Sequence, residues 1–272
     1  MRQIMIAAAI ATTAVAVASV ATGAPATQRD SIRAAVEAPT RTPDRIARDR
    51  YRHPVETLNF FGVGADDTVV EIWPGGGWYT EILAPYLSEQ GQLWVTAPGD
   101  RGFSGIHSLQ ETHPETYGSL QTAIFPAGEG DARVPDGSAD VVLTFRNVHN
   151  WRMGYQRDGA DYSPEAFAQM FAMLRPGGML GVVDHRLPED ADAAREESSG
   201  YIKVSTVRAL AEGAGFEYVG ASEVNANPAD SADWERGVWT LPPTLAKGDA
   251  DRQRYLAIGE SDRMTLKFRK PD

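Results

Sequence analysis

The sequence contains no cysteine, so neither a disulfide framework nor a lipid-modified cysteine secures this protein, and packing alone must hold it together. Basic residues are outnumbered. Against 26 Lys and Arg stand 37 Asp and Glu, a formal net charge of -11 that excludes the concentrated basic face a nucleic-acid partner requires. There is no GxSxG elbow, which sets a serine hydrolase aside. No internal repeat occurs, and beyond the N-terminus no apolar run is long enough to cross a bilayer.

What is present begins with an export pattern. Residues 1–26 carry one basic residue, Arg2, then an apolar run from Ile4 to Val20 and a string of small residues ending at Ala26. This is the pattern of a secretory signal peptide, and it predicts a periplasmic or secreted protein with no stable membrane insertion after cleavage. Residues 27–42 are polar without periodicity and read as a linker. A domain over 43–272 follows, opened by a helical cap at 43–61. Thr42 and Pro43 form a helix start, Asp44 to Pro54 is a charged helix, and a second helix buries Val55, Leu58 and Phe61. Tyr51, Arg52 and His53 are either a solvated face or part of a lid over a site.

The chain is organised around VVEIWPGGGWYTEIL, Val69 to Leu83. A short β-branched run gives way to Gly75, Gly76 and Gly77, and then Trp78, Ile82, Leu83, Tyr86 and Leu87 recur at helical spacing. Strand, glycine turn and helix in succession let the backbone approach a ligand, with the first helical N–H groups facing it. Glu71, at the strand end, is a natural acceptor for a ligand amine or ribose hydroxyl.

Further strands are expected at Gln92 to Ala97, Gln121 to Phe125, within Val134 to Phe145 (where a PDGS turn precedes the strand), Met179 to Val183, Phe216 to Val224 and Met264 to Lys270. Helices lie between them, notably from Ser163 and from Ser205 to Gly213. This alternation predicts an α/β fold, a doubly wound, mostly parallel sheet with helices on both faces and ligands at the carboxyl ends of its strands. An insertion at 226–262, containing VWTLPPTL (Val238 to Leu245), is expected to fold over the sheet.

Polar residues gather at the predicted strand ends: Glu71 and Trp73 on the first, Arg146, Asn147 and His149 after Phe145, Asp184 and His185 after Val183. His149 and His185 are candidate proton acceptors, and Asp184 is suited to orient one of them or a substrate amine. The bland alternative is that NVHNW is a hydrogen-bonded loop anchor. His149, His185 and Asp184 also have the chemistry of metal ligands, but no close ligand spacing supports a metal site.

VVEIWPGGG with its helix, SADVVLTFRNVHNW and MLRPGGMLGVV resemble the glycine motif, fourth strand and Pro-Gly-Gly segment of class I S-adenosylmethionine-dependent methyltransferases. More closely, EIWPGGGWYTEILAPYL, TFRNVHNW, GVVDHR, GVWTLPPTL and YLAIGESDRMTLKF resemble a family of exported bacterial methyltransferases, over Tyr51 to Pro271. The resemblance implies a Rossmann-like fold and S-adenosylmethionine as cofactor. Glu71, Gly75 and Gly77 match the acid and the second and third glycines that cradle the cofactor's methionine part, with Gly76 between. Trp73 stands where the first glycine belongs, and its indole is expected to narrow or reshape the pocket. Where relatives end the second strand with a ribose-holding acid, this chain has Ala97, Pro98 and Gly99, with Asp100 nearby. Glu129 or Asp131 is the adenine-side candidate. Arg146 and Asn147 complete the cofactor-binding set, and Asn147, His149, His185 and Asp184 form the catalytic one.

The implied function is methyl transfer to a small molecule. The rival is an exported small-molecule binding protein that keeps the methyltransferase-like fold but has lost donor binding.

Overall fold

Alternation along the strands decides the layers. In a computed structural model that describes residues 26–272, β1 (Thr68–Ile72) sends Val69 to one face of the sheet and Val70 and Ile72 to the other. β4 (Ala139–Phe145) does the same with Val141 and Leu143 against Val142. Both faces are therefore covered, as a continuous apolar strand requires. One face carries helices contributing Ile32, Leu58, Ile82 and Leu109, and the other carries helices contributing Trp151, Phe167 and Val207.

The remaining strands are β2 (Gln92–Ala97), β3 (Gln121–Ile124), β5 (Leu174–Leu187), β6 (Ile202–Lys203), β7 (Glu217–Ser222) and β8 (Arg263–Arg269). The sheet order is β3-β2-β1-β4-β5-β8-β7, with β6 pairing β5 off this path. β1 to β5 run parallel, whereas β8 is antiparallel to both β5 and β7. The doubly wound, mostly parallel arrangement is thus as the sequence predicts. The order reverses between β1 and β4, the crevice where such sheets bind ligands.

Three expectations change, and a fourth goes untouched. The segment read as a signal peptide lies, Ala26 apart, outside the described residues. The expected linker at 27–42 contains a helix, Ala26–Val36, that buries Ile32 and Ala35. Its apolar stripe is so narrow amid Gln, Arg and Asp that periodicity does not announce it. The charged helix from Asp44 is two single turns, Pro43–Ile46 and Asp49–Arg52, closed by His53 in a left-handed conformation before the helix Pro54–Phe61. Finally, β5 extends past Val183, because Asp184 pairs with Met264 and His185 with Arg263 on β8. Both side chains therefore project from a rigid strand rather than a loop.

The cap helix Pro54–Phe61 docks where β5 has no side chain. A Cβ on Gly181 would lie 2.7 Å from the Phe61 ring. Among the described residues no helix is long and apolar enough to cross a membrane.

Candidate active site

A cavity of about 360 Å³ opens at the carboxyl ends of β1, β4 and β5. Its floor is Glu71, Trp73, Pro74, Gly75 and Gly76 from the β1 turn and Phe145, Arg146, Asn147 and His149 from the end of β4. Arg45, Arg48 and Arg52 of the cap wall one side, and Val238, Trp239 and the Pro242–Thr244 stretch of the insertion close over it. The cap arginines and the VWTLPPTL segment are therefore the lid, whereas Tyr51 and His53 do not line the cavity. Tyr51 instead lies against Gly259, where any Cβ would meet its ring at 2.6 Å.

Two residues leaving strands into the cavity, Trp73 (φ 49°) and Arg146 (φ 64°), adopt the left-handed region that side chains other than glycine rarely enter. Such strain persists only where the surroundings fix it. Trp73 is held by donating its indole N–H to the Phe125 carbonyl at 2.7 Å and by edge-on packing against Trp151. The indole thus borders the cavity while anchored at the end of β3, so it shapes a wall rather than filling the space above the glycines. Gly77 (φ +85°) takes a backbone angle that needs glycine.

Glu71 is buried and accepts a hydrogen bond from Thr80 Oγ1 at 2.6 Å. Burial, opposed by the Thr80 bond and the Arg45 charge, pushes its carboxyl up to about 7. The turn beyond it is held by Arg45, whose guanidinium bonds the carbonyls of Gly76 and Gly77 and pairs with buried Glu81 at 2.8 Å. Thr42, expected to cap a helix, donates its hydroxyl to Glu81 at 2.6 Å instead.

At the other end, Asp184 is completely buried and its two oxygens are engaged. Oδ1 accepts from His149 Nδ1 at 2.6 Å and from the His185 amide at 2.7 Å, while Oδ2 accepts from the His149 amide at 3.3 Å. A carboxylate only accepts, so His149 donates from Nδ1, and the bond fixes the ring with Nε2 as the nitrogen not engaged by Asp184. His185 lies beside it, ring centroids 5.0 Å apart, with Nδ1 2.5 Å from Ser261 Oγ. Burial first, then the neighbouring His149, Arg263, Arg146 and Arg52, hold His185 well below the ordinary histidine range, so it is neutral. The donor atoms of His149, Asp184 and His185 lie within 4.8 Å of one another, and the hydrogen bonding makes them a carboxylate–histidine dyad with a neutral neighbour. Asn147 uses its amide to tie strand ends together, donating to the Ile72 carbonyl at 2.8 Å and to Thr144 Oγ1 at 3.2 Å.

The structure brings Glu71, Trp73, Gly75, Gly76, Arg146, Asn147, His149 and His185 to one cavity, with Asp184 behind it. It places Asp100, Glu129 and Asp131 elsewhere. All three are exposed and outside the cavity lining, and Asp131 accepts from the Gly128 amide. Sequence reasoning gave no role to Arg45, Arg48, Glu81, Glu260, Ser261 or Arg263. The repeated arginines of the cap and the GESDR sequence were the available signal.

No protein-family model matches the sequence, and no curated protein does either. Solved structures do match. A SAM-dependent methyltransferase from Aquifex aeolicus is similar at TM-score 0.53 and 13% identity, over 89% of this chain and 97% of that one. Phosphoethanolamine N-methyltransferase 2 of Haemonchus contortus, in complex with S-adenosyl-L-methionine, gives 0.52 and 14%, over 82% of this chain and 53% of that one. The [4+2]-cyclase SpnF gives 0.55 and 14%, over 81% and 80%. The fold is therefore the Rossmann-like fold of class I SAM-dependent methyltransferases. At such identities the likeness concerns the fold, and chemistry has to be argued from the site.

Proposed function

We propose that this protein is an exported S-adenosylmethionine-dependent methyltransferase acting on a small molecule, related to the exported bacterial methyltransferases its motifs resemble. The observation that carries the reading is the presence, in one lidded cavity, of a buried acid beside a glycine turn and a histidine oriented by a carboxylate.

The residues fit the methionine end of the donor. Glu71 is a buried acceptor suited to an ammonium group, and the exposed Gly75 leaves open space where a Cβ would meet nothing within 4 Å. When bound, S-adenosylmethionine supplies a methyl group on a sulfonium centre, and the methyl bonds to a nucleophile as the carbon–sulfur bond breaks. Glu71 and the Arg45-braced turn would hold the donor in line with the acceptor. His149 Nε2 would take the acceptor's proton, with Asp184 stabilising the resulting imidazolium. Trp239 and Pro242–Pro243 would exclude water from the cavity.

The test is formation of S-adenosylhomocysteine from S-adenosylmethionine by the mature protein, with and without the small-molecule fraction of a cell extract. Extract-dependent formation that His149→Ala abolishes, with a product heavier by one methylene, is expected. Absence of any extract-dependent turnover from a protein that binds the donor contradicts the reading. For export, the full chain is expected in the periplasmic fraction, shortened near Ala26. Full-length protein in the cytoplasm would contradict that part.

A further inference from the structure

The cavity has two electrically different ends. In a chain of formal charge -11, five arginines (Arg45, Arg48, Arg52, Arg146 and Arg263) line this single cleft. Arg45 belongs to the glycine-turn end, paired with Glu81. The other four cluster at the far end, around His185. There Arg48, Arg52 and Arg263 all converge on one carboxylate, Glu260, and among the described residues Arg146 forms no ion pair at all. Four guanidinium groups therefore share Glu260, with Asp184 the other carboxylate acting on Arg146, and the cluster keeps a net positive charge.

Burial is deep and the donors are left over. Arg52 is 4% exposed, Arg263 and Glu260 2% each, yet Arg52 Nη2, Arg48 Nη2 and Arg263 Nε have no hydrogen-bond partner. Burial and the neighbouring arginines hold Arg146 down to about 10 and Arg52 well below the usual range, as expected where like charges are crowded. Arg146 also reaches this position through strained backbone at φ 64°. An uncompensated buried charge costs stability unless a ligand neutralises it. Arginine's planar fork suits an oxyanion above other ligands. Glu71, by contrast, feels Arg45 and none of these four, so the end suited to the donor's ammonium differs in charge from the end that holds the cluster.

We infer that the methyl acceptor is itself an anion, carrying a carboxylate or phosphate group that Arg52, Arg146 and Arg263 bind while the reacting atom lies beside His149. The assignment rests on the methyltransferase reading, although the anion site does not. The guanidinium groups anchor one end of the acceptor, and the His149–Asp184 dyad meets the other. The donor's own carboxylate is the other source of the same chemistry.

The experiment uses inorganic phosphate as probe. Thermal melting and calorimetric titration of the mature protein are run with phosphate against chloride at matched ionic strength. Phosphate is expected to raise the melting temperature and to bind saturably, and Arg146→Gln to weaken that binding at least tenfold. The same substitution relieves charge crowding, so the unliganded variant is expected to melt higher than wild type. A lower melting temperature with phosphate binding intact would overturn the proposal and make Arg146 structural, and no phosphate effect beyond that of chloride would also overturn it. Donor titration with and without saturating phosphate separates the two sources. Unchanged donor affinity supports an anionic acceptor, and competition assigns the arginines to the donor's carboxylate and overturns the acceptor assignment. If phosphate binds through Arg146 but the donor does not bind at all, the methyl-transfer reading falls and the anion site stands.

Discussion

Glu71 shows how one residue ties stability to ligand binding. Its folded-state carboxyl titrates at about 7 against an ordinary 4.5, because burial penalises the charged form. The sign follows. Folding favours the protonated acid, so no penalty exists below pH 4.5, and the full penalty is present once pH exceeds 7. That gap corresponds to about 3 kcal/mol as an upper bound. Glu71→Gln, which still accepts from Thr80, is therefore expected to melt at a higher temperature than wild type above pH 7 and to lose that advantage as pH falls to 4.5. An advantage independent of pH, measured by thermal melts across this range, would contradict the assignment. A bound ammonium reverses the balance by favouring the carboxylate, so donor binding below pH 7 should release a proton.

At the scale of elements, the glycine turn is a supported structure rather than a free loop. Arg45 holds its carbonyls from the cap side, and the helix Ser104–Thr112 abuts it from below. A Cβ on Gly105 would lie 2.7 Å from the Gly75 oxygen and 2.8 Å from the Gly76 Cα. Those are backbone atoms and cannot rotate away. Gly105→Ala is thus expected to displace the turn, destabilising by about 1–3 kcal/mol and weakening donor affinity about tenfold. Unaltered donor affinity in a folded Gly105→Ala protein would show that the turn does not set the donor site. This support was illegible in the sequence, since no local signal marks Gly105 and its contact spans 30 residues from Gly75. The β1 turn itself was legible, because a β-branched run, glycines and helical spacing are all local signals. His149 and Asp184 were legible as strand-end residues, and Asp184 as suited to orient a histidine, but not which of the two histidines it would hold. Their pairing depends on β4 and β5 lying side by side in register, with Phe145 opposite Val183.

Across the whole molecule, the N-terminal segment completes the domain. Ile32 is fully buried among the cap and β1-turn helices, and Arg41 makes a bidentate pair with Asp49 at 2.7 and 2.9 Å. Removing residues 26–41 is therefore expected to destabilise the protein by at least about 3 kcal/mol, on the scale of losing one large core side chain, in denaturant unfolding. A true linker would leave the midpoint unchanged. The sequence hid this helix because its few apolar residues are interleaved with charges, just as it hid the arginine cluster by dispersing Arg48, Arg52, Arg146 and Arg263 over more than 200 positions. The molecule so assembled is acidic outside and basic at one end of its cleft, an arrangement that draws a small anion inward rather than a polyanion onto its surface.

The most direct measurement is a calorimetric titration of residues 26–272 with S-adenosylmethionine and S-adenosylhomocysteine above and below pH 7, beside Glu71→Ala. Micromolar binding that strengthens above pH 7 and disappears in Glu71→Ala is the expected result. No binding up to millimolar ligand, from a protein that melts cooperatively, would contradict the proposed methyltransferase activity and leave the cleft to a different ligand.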